Sequence, residues 1–381
     1  MKKKVGNQLA TRFNELFCEA LQDKVFPGAA MAVDFVEKSY NFLPVHFFGS
    51  TVYTTGAGDE VNDKTIYDLA SLTKPLVTTL GLMILIEGGR LRLTDTLPTF
   101  FKEVKNKELS DVTILHLLSH SSGLPAYRPY FINYRPVASR ESGDKLIRSI
   151  LGTPLIYPLG SRCLYSDLGF ILLGKIIEMV SGERLDRFFK REISFPLGLE
   201  KELFFRPLTE SESGGGDISR YAPTEYCRWR GKLIRGRVHD EHGYLLGGIS
   251  GHAGLFGTIK GVSRLCRVIL KQWRGERIFS NISVELMERF LRPAHHHSGW
   301  CMGFDTPSFP GSSAGRFISP GSVGHLGFTG TSFWLDKARG LSMVLLTNRV
   351  HPSRYNIKIR TFRPLFHDMV IQAVDEIKKA G

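Results

Sequence analysis

The hydrophobic positions of this chain change rhythm twice along its length. Near the start, Leu9, Phe13, Leu16, Phe17, Ala20 and Leu21 fall on one helical face, which predicts an amphipathic surface helix. "GAAMAVDFVEKS" and "PVHFFGSTVYTTG" then concentrate strand formers on either side of a polar turn, predicting an antiparallel pair. From Ser71 to Glu87 the chain is apolar at helical spacing, and Gly88 and Gly89 end the run. A long middle keeps helical periodicity through "TILHLLSHSSGLP", "ESGDKLIRSILG", "SDLGFILLGKIIEMVSG", "RLDRFFKREI", "KGVSRLCRVILKQWRG" and "NISVELMERFL". Strand patterns return in "GHLGFTGTSFWLD" and "GLSMVLLTNRV", before a closing helix from about Thr361 to Lys379.

Strands at both ends with helices between them predict an α/β (α+β) fold. An antiparallel sheet from both chain ends is flanked by helices and carries an inserted, mostly helical region. The α/β part is expected over about 1–80 and 298–381 and the helical part over about 81–297, together forming one unit. A cleft between the two parts is the default place for a site. No internal repeat appears, and the low-complexity patch "SESGGGD" reads as a surface loop.

With 42% hydrophobic and 23% charged residues over 381 positions, the chain can bury a sizeable core. Its basic start is not followed by the apolar core of a signal peptide. Its longest apolar runs are broken by Gly or charge before the roughly 18 residues of a membrane span. Cys18, Cys163, Cys227, Cys266 and Cys301 lie far apart and form no CxxC pair, so neither a disulfide framework nor a zinc knuckle is suggested. A cytoplasmic location is expected. The net charge of +13 gathers in "RWRGKLIRGR" (228–237) and "RVHPSRYNIKIRTFR" (349–363). Such runs suit solvated basic faces or anionic partners. Trp229 would let the first stack on single-stranded nucleic acid, although a basic rim that draws in an anionic substrate explains it equally well.

The candidate chemistry begins at "YDLASLTKPLVTT". Ser71 and Lys74 stand three residues apart, so on a helix they share a face. A serine hydroxyl needs a base before it becomes a nucleophile, and burial against Leu72, Pro75 and Val77 would lower the lysine pKa towards that role. Pro75 fits only a first turn, which puts Ser71 at a helix N-terminus where free amides favour an oxyanion. Serine is also a common helix cap, so the pair needs company. A second proton-transfer group and a strand offering a backbone N–H are required. "LYSDLGF" supplies Tyr165, Ser166 and Asp167, and the Gly-rich "GHLGFTGTSFWLD" begins with His325.

With "LASLTKPL", "LLSHSSGLP", "YSDLGFILLG", "GHAGLFGT" and "GHLGFTGTSFWLD" in this order, the chain from about Phe26 to Asn348 resembles the serine β-lactamase and penicillin-binding-protein superfamily. The likeness is to its class C-like branch, which includes esterases and D-amino-acid peptidases. The resemblance implies that Ser71 is acylated and that Lys74 and Tyr165 share the proton transfers. It further implies that the Ser71 and Phe328 N–H groups hold the oxyanion, and that Asp167, His325, Leu326 and Gly327 border the substrate. It implies no cofactor and no metal. Relatives that handle β-lactams usually carry Tyr-x-Asn and Lys-Thr-Gly where this chain has Tyr-Ser-Asp and His-Leu-Gly. An ionised Asp167 can only accept hydrogen bonds, or can pair with Lys74, raise its pKa and shift the base role towards Tyr165. His325 offers a cation only when protonated. The expectation is a serine hydrolase acting on an ester or amide, a cell-wall-derived or anionic peptide among the candidates. A true β-lactamase or D-alanyl-D-alanine carboxypeptidase is the alternative within the family, and a poorly catalytic binding or sensor protein the alternative outside it. Nucleic acid is not expected as a partner.

Other patterns compete with this site. "GSSAG" (311–315) matches a nucleophile elbow, but no strand precedes it and no helix follows, so it reads as a loop. His239, Asp240, Glu241, His242 and His252 crowd fourteen residues without a recognisable metal-ligand spacing, which favours substrate contacts or buried imidazoles. His295–His297 read as an exposed loop, and His120 with Ser121 as a capping turn at a helix end. There is no P-loop, and no GxGxxG follows a strand.

Overall fold

The computed structural model describes residues 2–36, 45–54, 58–104, 107–208, 218–294 and 299–380. The segments "SESGGGD" and His295–His297 lie outside the described residues. Among the described residues ten strands are formed in chain order: β1 (Gly28–Phe35), β2 (His46–Gly49), β3 (Tyr67–Asp68), β4 (Leu203–Phe205), β5 (Tyr226–Cys227), β6 (Lys232–Leu233), β7 (Leu255–Gly257), β8 (Val323–Leu326), β9 (Ser332–Asp336) and β10 (Leu341–Thr347). The main sheet runs β2-β1-β10-β9-β8, all antiparallel, and so joins the two ends of the chain. A smaller sheet, β3-β7-β4, and a hairpin, β5-β6, stand among the helices.

Both faces of the main sheet are buried, which is why its strands read as nearly continuous apolar runs. Alternate residues serve alternate faces. Ala30 and Ala32 of β1, Phe333 and Leu335 of β9, and Val344 and Leu346 of β10 join the large core shared with the helical region. Ala29, Met31, Val33, Trp334, Met343 and Leu345 face a second core under the first helix, Lys2–Gln22, and the last, Ile359–Ala380. Phe17 anchors that core by stacking on Phe48 at 3.9 Å and meeting Phe362 edge-on at 5.2 Å.

Two readings of the pattern change. "GHLGFTGTSFWLD" is two strands rather than one, because Gly327–Thr331 turns back, with Gly330 at φ 116 and Thr331 Oγ1 donating to Leu69 O. The helical run Ala70–Glu87 does reach 18 residues at mean hydropathy 1.3, enough by length and composition to cross a membrane. It is mostly buried, and it packs on the helix Asp167–Ser181 as the central helix of the large core. Its composition follows from having protein on every side.

Candidate active site

The turn that presents Ser71 is strained. Ala70, between β3 and the central helix, has φ 48, a left-handed conformation that costs a residue with a Cβ about 1 kcal/mol or more. Asp68 holds it: Oδ1 accepts the Ala70 N–H at 2.8 Å, Oδ2 accepts the His239 N–H at 2.6 Å, and its carbonyl accepts Thr329 Oγ1 at 2.7 Å. This buried carboxylate thus ties the serine turn to the His-rich segment and to the β8–β9 turn. Beyond Ser71 the helix begins as a 3₁₀ turn, Ala70–Leu72, widens over Lys74–Thr79 and becomes α-helical at Leu80–Glu87, with Pro75 in the opening turn where its missing N–H costs nothing.

Four polar side chains converge there. Lys74 Nζ, wholly buried, lies 2.9 Å from Ser71 Oγ, 2.7 Å from Asp167 Oδ1 and 3.2 Å from the His252 carbonyl. Tyr165 donates its hydroxyl to Ser71 Oγ at 2.8 Å, and its ring lies 4.8 Å from Lys74 Nζ. Asp167 opens the helix Asp167–Ser181, so the chain delivers Tyr165 and Asp167 together from one helix start. Burial pulls the Lys74 pKa below its ordinary value, and Asp167 opposes this without reversing it. Burial, then the Asp167 charge, pushes the Tyr165 phenol well above 10. The Asp167–Lys74 pairing therefore forms, and desolvation of Lys74 outweighs its counter-ion. In the resting arrangement Ser71 Oγ accepts from both neighbours, and a neutral Lys74 would turn a lone pair towards the serine proton.

Two histidines flank Tyr165. His120, at φ 57, accepts the Leu164 N–H on its carbonyl at 2.8 Å and the Ser166 N–H on Nδ1 at 3.1 Å, so it brackets the tyrosine from both sides. Its ring centroid lies 4.9 Å from that of Tyr165. The "LLSHSSGLP" segment does end a short helix, Ile114–Leu118, as expected of a capping turn, yet its histidine also fixes Tyr165. His325 donates Nδ1–H to the Leu326 carbonyl at 2.8 Å, and burial with the Lys74 charge lowers its pKa to about 3. It is a neutral imidazole and supplies no cation. Leu326 ends β8 half-buried, and Gly327 is required there, since an added Cβ would meet Thr331 Oγ1 at 1.9 Å and Leu69 O at 2.7 Å. The Phe328 N–H takes no backbone partner among the described residues, while the Phe328 carbonyl accepts from Arg349.

Ser71, Tyr165, Asp167, His325, Leu326, Gly327 and Phe328 line a cavity of about 690 Å³ shared with Tyr127, His239, Asp240, Glu241, His252, Trp300 and Asp305. The lining also carries Arg349, Arg354, Arg360 and Arg363, so the second basic run faces the site. The first run is instead anchored inward at its middle, where the Arg230 guanidinium donates to Val238 O at 2.7 Å and to His239 O and Trp229 Nε1 donates to Tyr134 O, while Arg228 stays exposed. Of the His-rich segment, His252 Nε2 meets Asp240 Oδ1 at 2.7 Å, and His239 stacks on Phe328. Among the described residues Glu225, Cys227 and Glu241 lie close enough together to ligate a metal, but the Arg354 guanidinium already bridges the two carboxylates. "GSSAG" is a loop, with the Ser313 carbonyl engaging His367 beside the last helix.

Sequence reasoning missed Asp68, Trp300 and Asp305, because a single Asp or Trp carries no local signal. For His120 the signal was present, in a histidine closing a helix just ahead of Gly and Pro, but its partners lie about 45 residues away.

A strained serine turn at the head of a buried helix, with a lysine and a tyrosine on the hydroxyl and a sheet edge opposite, defines a serine hydrolase of the β-lactamase and penicillin-binding-protein type. The β-lactamase family profile matches residues 13–365, and the chain belongs to that family. It is 33% identical over 308 residues to "Putative D-alanyl-D-alanine carboxypeptidase" of Escherichia coli (strain K12), covering 75% of this chain and 70% of that one. It is 28% identical over 354 residues to N-acetylmuramyl-L-alanine amidase of Bacillus subtilis (strain 168), covering 86% and 78%. In fold it is similar to EstCE1, a hydrolase with promiscuous acyltransferase activity, with TM-score 0.72, 21% identity, and 94% and 99% of the two chains covered.

Proposed function

We propose that the chain hydrolyses an ester or amide through an acyl-enzyme on Ser71. The observation that carries this reading is that Ser71 Oγ is bonded at once to Lys74 Nζ at 2.9 Å and to Tyr165 OH at 2.8 Å. Lys74, its pKa depressed by burial, takes the serine proton as Oγ bonds to the substrate carbonyl carbon. The Ser71 and Phe328 N–H groups hold the oxyanion, and removing one such donor typically costs about a hundred- to a thousandfold in rate. Tyr165, held protonated, gives its proton to the leaving alcohol or amine as the carbonyl re-forms, and Lys74 returns the serine proton to the tyrosine. Water then attacks the acyl carbon by the reverse relay and frees Ser71.

The substrate class is narrowed by the charges. Neutral His325 removes the cation that a Lys-Thr-Gly strand would offer a carboxylate, and Leu326 brings no hydroxyl. Arg360 is exposed on the cavity wall and has no carboxylate partner among the described residues, which supports a substrate with an anionic group remote from the scissile bond. The similarity to a D-alanyl-D-alanine carboxypeptidase and an N-acetylmuramyl-L-alanine amidase favours a cell-wall-derived peptide. A second reading, a binding protein that turns over poorly, is favoured by the Asp167 carboxylate on Lys74. Mass spectrometry after incubation with a fluorophosphonate or a penicillin separates the two. Adduct on wild type and none on Ser71→Ala supports the hydrolase, while a folded, unlabelled wild type sinks it.

A further inference from the structure

Among the described residues, the cavity contains one carboxyl that pairs with no basic side chain. Asp305 sits on a short hairpin beside the edge strand β8, exchanging backbone hydrogen bonds with Gly324 at 2.8 and 2.9 Å and pairing across the hairpin with Trp300. Directly opposed residues of an antiparallel pair project from the same face, so the carboxyl and the indole emerge together, and both line the cavity. The Trp300 ring lies 5.3 Å from the Tyr165 ring and 5.9 Å from that of His325, which puts this pair next to the proton-transfer groups.

Of the other acids of the cavity, Asp167 pairs with Lys74 and Glu241 with Arg354, and Asp240 meets the His252 imidazole. Asp305 has none among the described residues. One oxygen accepts the Thr306 N–H at 2.9 Å, and the other has no partner among them. Burial without a compensating charge pushes this carboxyl up to about 7. Of the arginines that line the cavity, Arg349 and Arg363 are spent on carbonyl oxygens and Arg354 on Glu225 and Glu241, and Arg360 makes no ion pair with Asp305 among the described residues.

We infer that Asp305 and Trp300 form a subsite for a primary ammonium group that the substrate carries close to its reactive carbonyl, as an aminoacyl ester or amide does. The inference rests on the acyl-enzyme reading above and narrows its substrate class. An ammonium supplies the donors and the charge that the carboxyl lacks, and an indole face attracts a cation. A neutral alkyl group there would bury the carboxyl without a partner.

The test compares the ethyl ester of alanine, each enantiomer, with ethyl propionate, which differs only in the amine, by pH-stat on wild type, Asp305→Asn and Asp305→Glu. Wild type is expected to prefer the amine by about ten- to a hundredfold in kcat/KM for one enantiomer, the worth of a hydrogen bond to a charged group. Asp305→Asn should erase that ratio through KM, and Asp305→Glu should keep part of it. Calorimetry of alaninamide against propionamide on Ser71→Ala and on Ser71→Ala with Asp305→Asn reads the same preference without turnover. An amine preference that is absent in wild type, or that persists unchanged in Asp305→Asn, overturns the inference. If wild type hydrolyses neither ester and fluorophosphonate leaves Ser71 unlabelled, the hydrolase reading has failed, and the calorimetry still decides the subsite.

Discussion

Replacing Asp167 with asparagine tests which group takes the serine proton. Lys74 Nζ lies 2.7 Å from Asp167 Oδ1, fully buried, and its pKa is set by burial pulling down against this carboxylate pulling up. A single opposite charge at such range shifts a pKa by about one to three units. Asparagine removes the upward pull, so Lys74 should titrate about one to three units lower. If neutral Lys74 is the base, kcat/KM rises with pH as Lys74 loses its proton, on a limb that lies below the ordinary lysine value in wild type. In Asp167→Asn that limb should move to lower pH by the same one to three units. The stability signs agree: a lysine whose folded pKa lies below its unfolded value destabilises the fold wherever the unfolded lysine is charged, so the variant should be less stable than wild type at pH 7, with the gap narrowing at pH 10. Stopped-flow esterase rates from pH 5 to 11, with thermal melts at pH 7 and 10, measure both. The measured limb must also persist in Tyr165→Phe, at lower amplitude. A wild-type limb above 10 would assign the base to Tyr165, whose phenol is held well above 10, and an unmoved limb in Asp167→Asn would refute the reasoning.

Further expectations follow from single contacts. His120→Ala removes the acceptor of the Ser166 N–H and should lower kcat by about tenfold with little change in KM, whereas His120→Asn, which tolerates positive φ and keeps an acceptor, should recover much of it; steady-state kinetics on a p-nitrophenyl ester read the difference. Gly251→Ala would place a Cβ 2.2 Å from Phe170 O and 2.7 Å from Gly174 N, two backbones that cannot yield cheaply. It should cost about 3 kcal/mol or more, lower the melting temperature by several degrees and pull the His252 carbonyl off Lys74. Burial would raise Glu225, but His239 and Arg354 hold it at about 2 against 4.5 unfolded, so it contributes about 3 kcal/mol that is present above pH 4.5 and is lost as pH falls towards 2. Acid unfolding followed by circular dichroism should show Glu225→Gln destabilised at pH 7 and flatter than wild type between pH 4.5 and 2; parallel curves would contradict this.

What the sequence determined by itself is local or repetitive. The three-residue step from Ser71 to Lys74 puts both on one face of whatever helix forms. Pro75 restricts that helix to beginning there, and the period of the apolar residues separates strands at the two ends from helices between them. These are properties of backbone geometry and survive in any context. The tertiary structure decided the rest, because desolvation and pairing depend on what packs where. Tyr165 and Asp167 reach Ser71 and Lys74 across more than ninety residues, and only the depth of burial makes Lys74 lose to desolvation what Asp167 would give it. His325 looked like a stand-in for a lysine cation until its surroundings made it neutral. One basic run is anchored inward at its middle while the other lines the cavity, although the two look alike as strings of charge. Asp305, unremarkable in "CMGFD", acquires meaning only as a carboxyl beside Trp300 with no counter-ion among the described residues, which is a fact about space rather than about order along the chain.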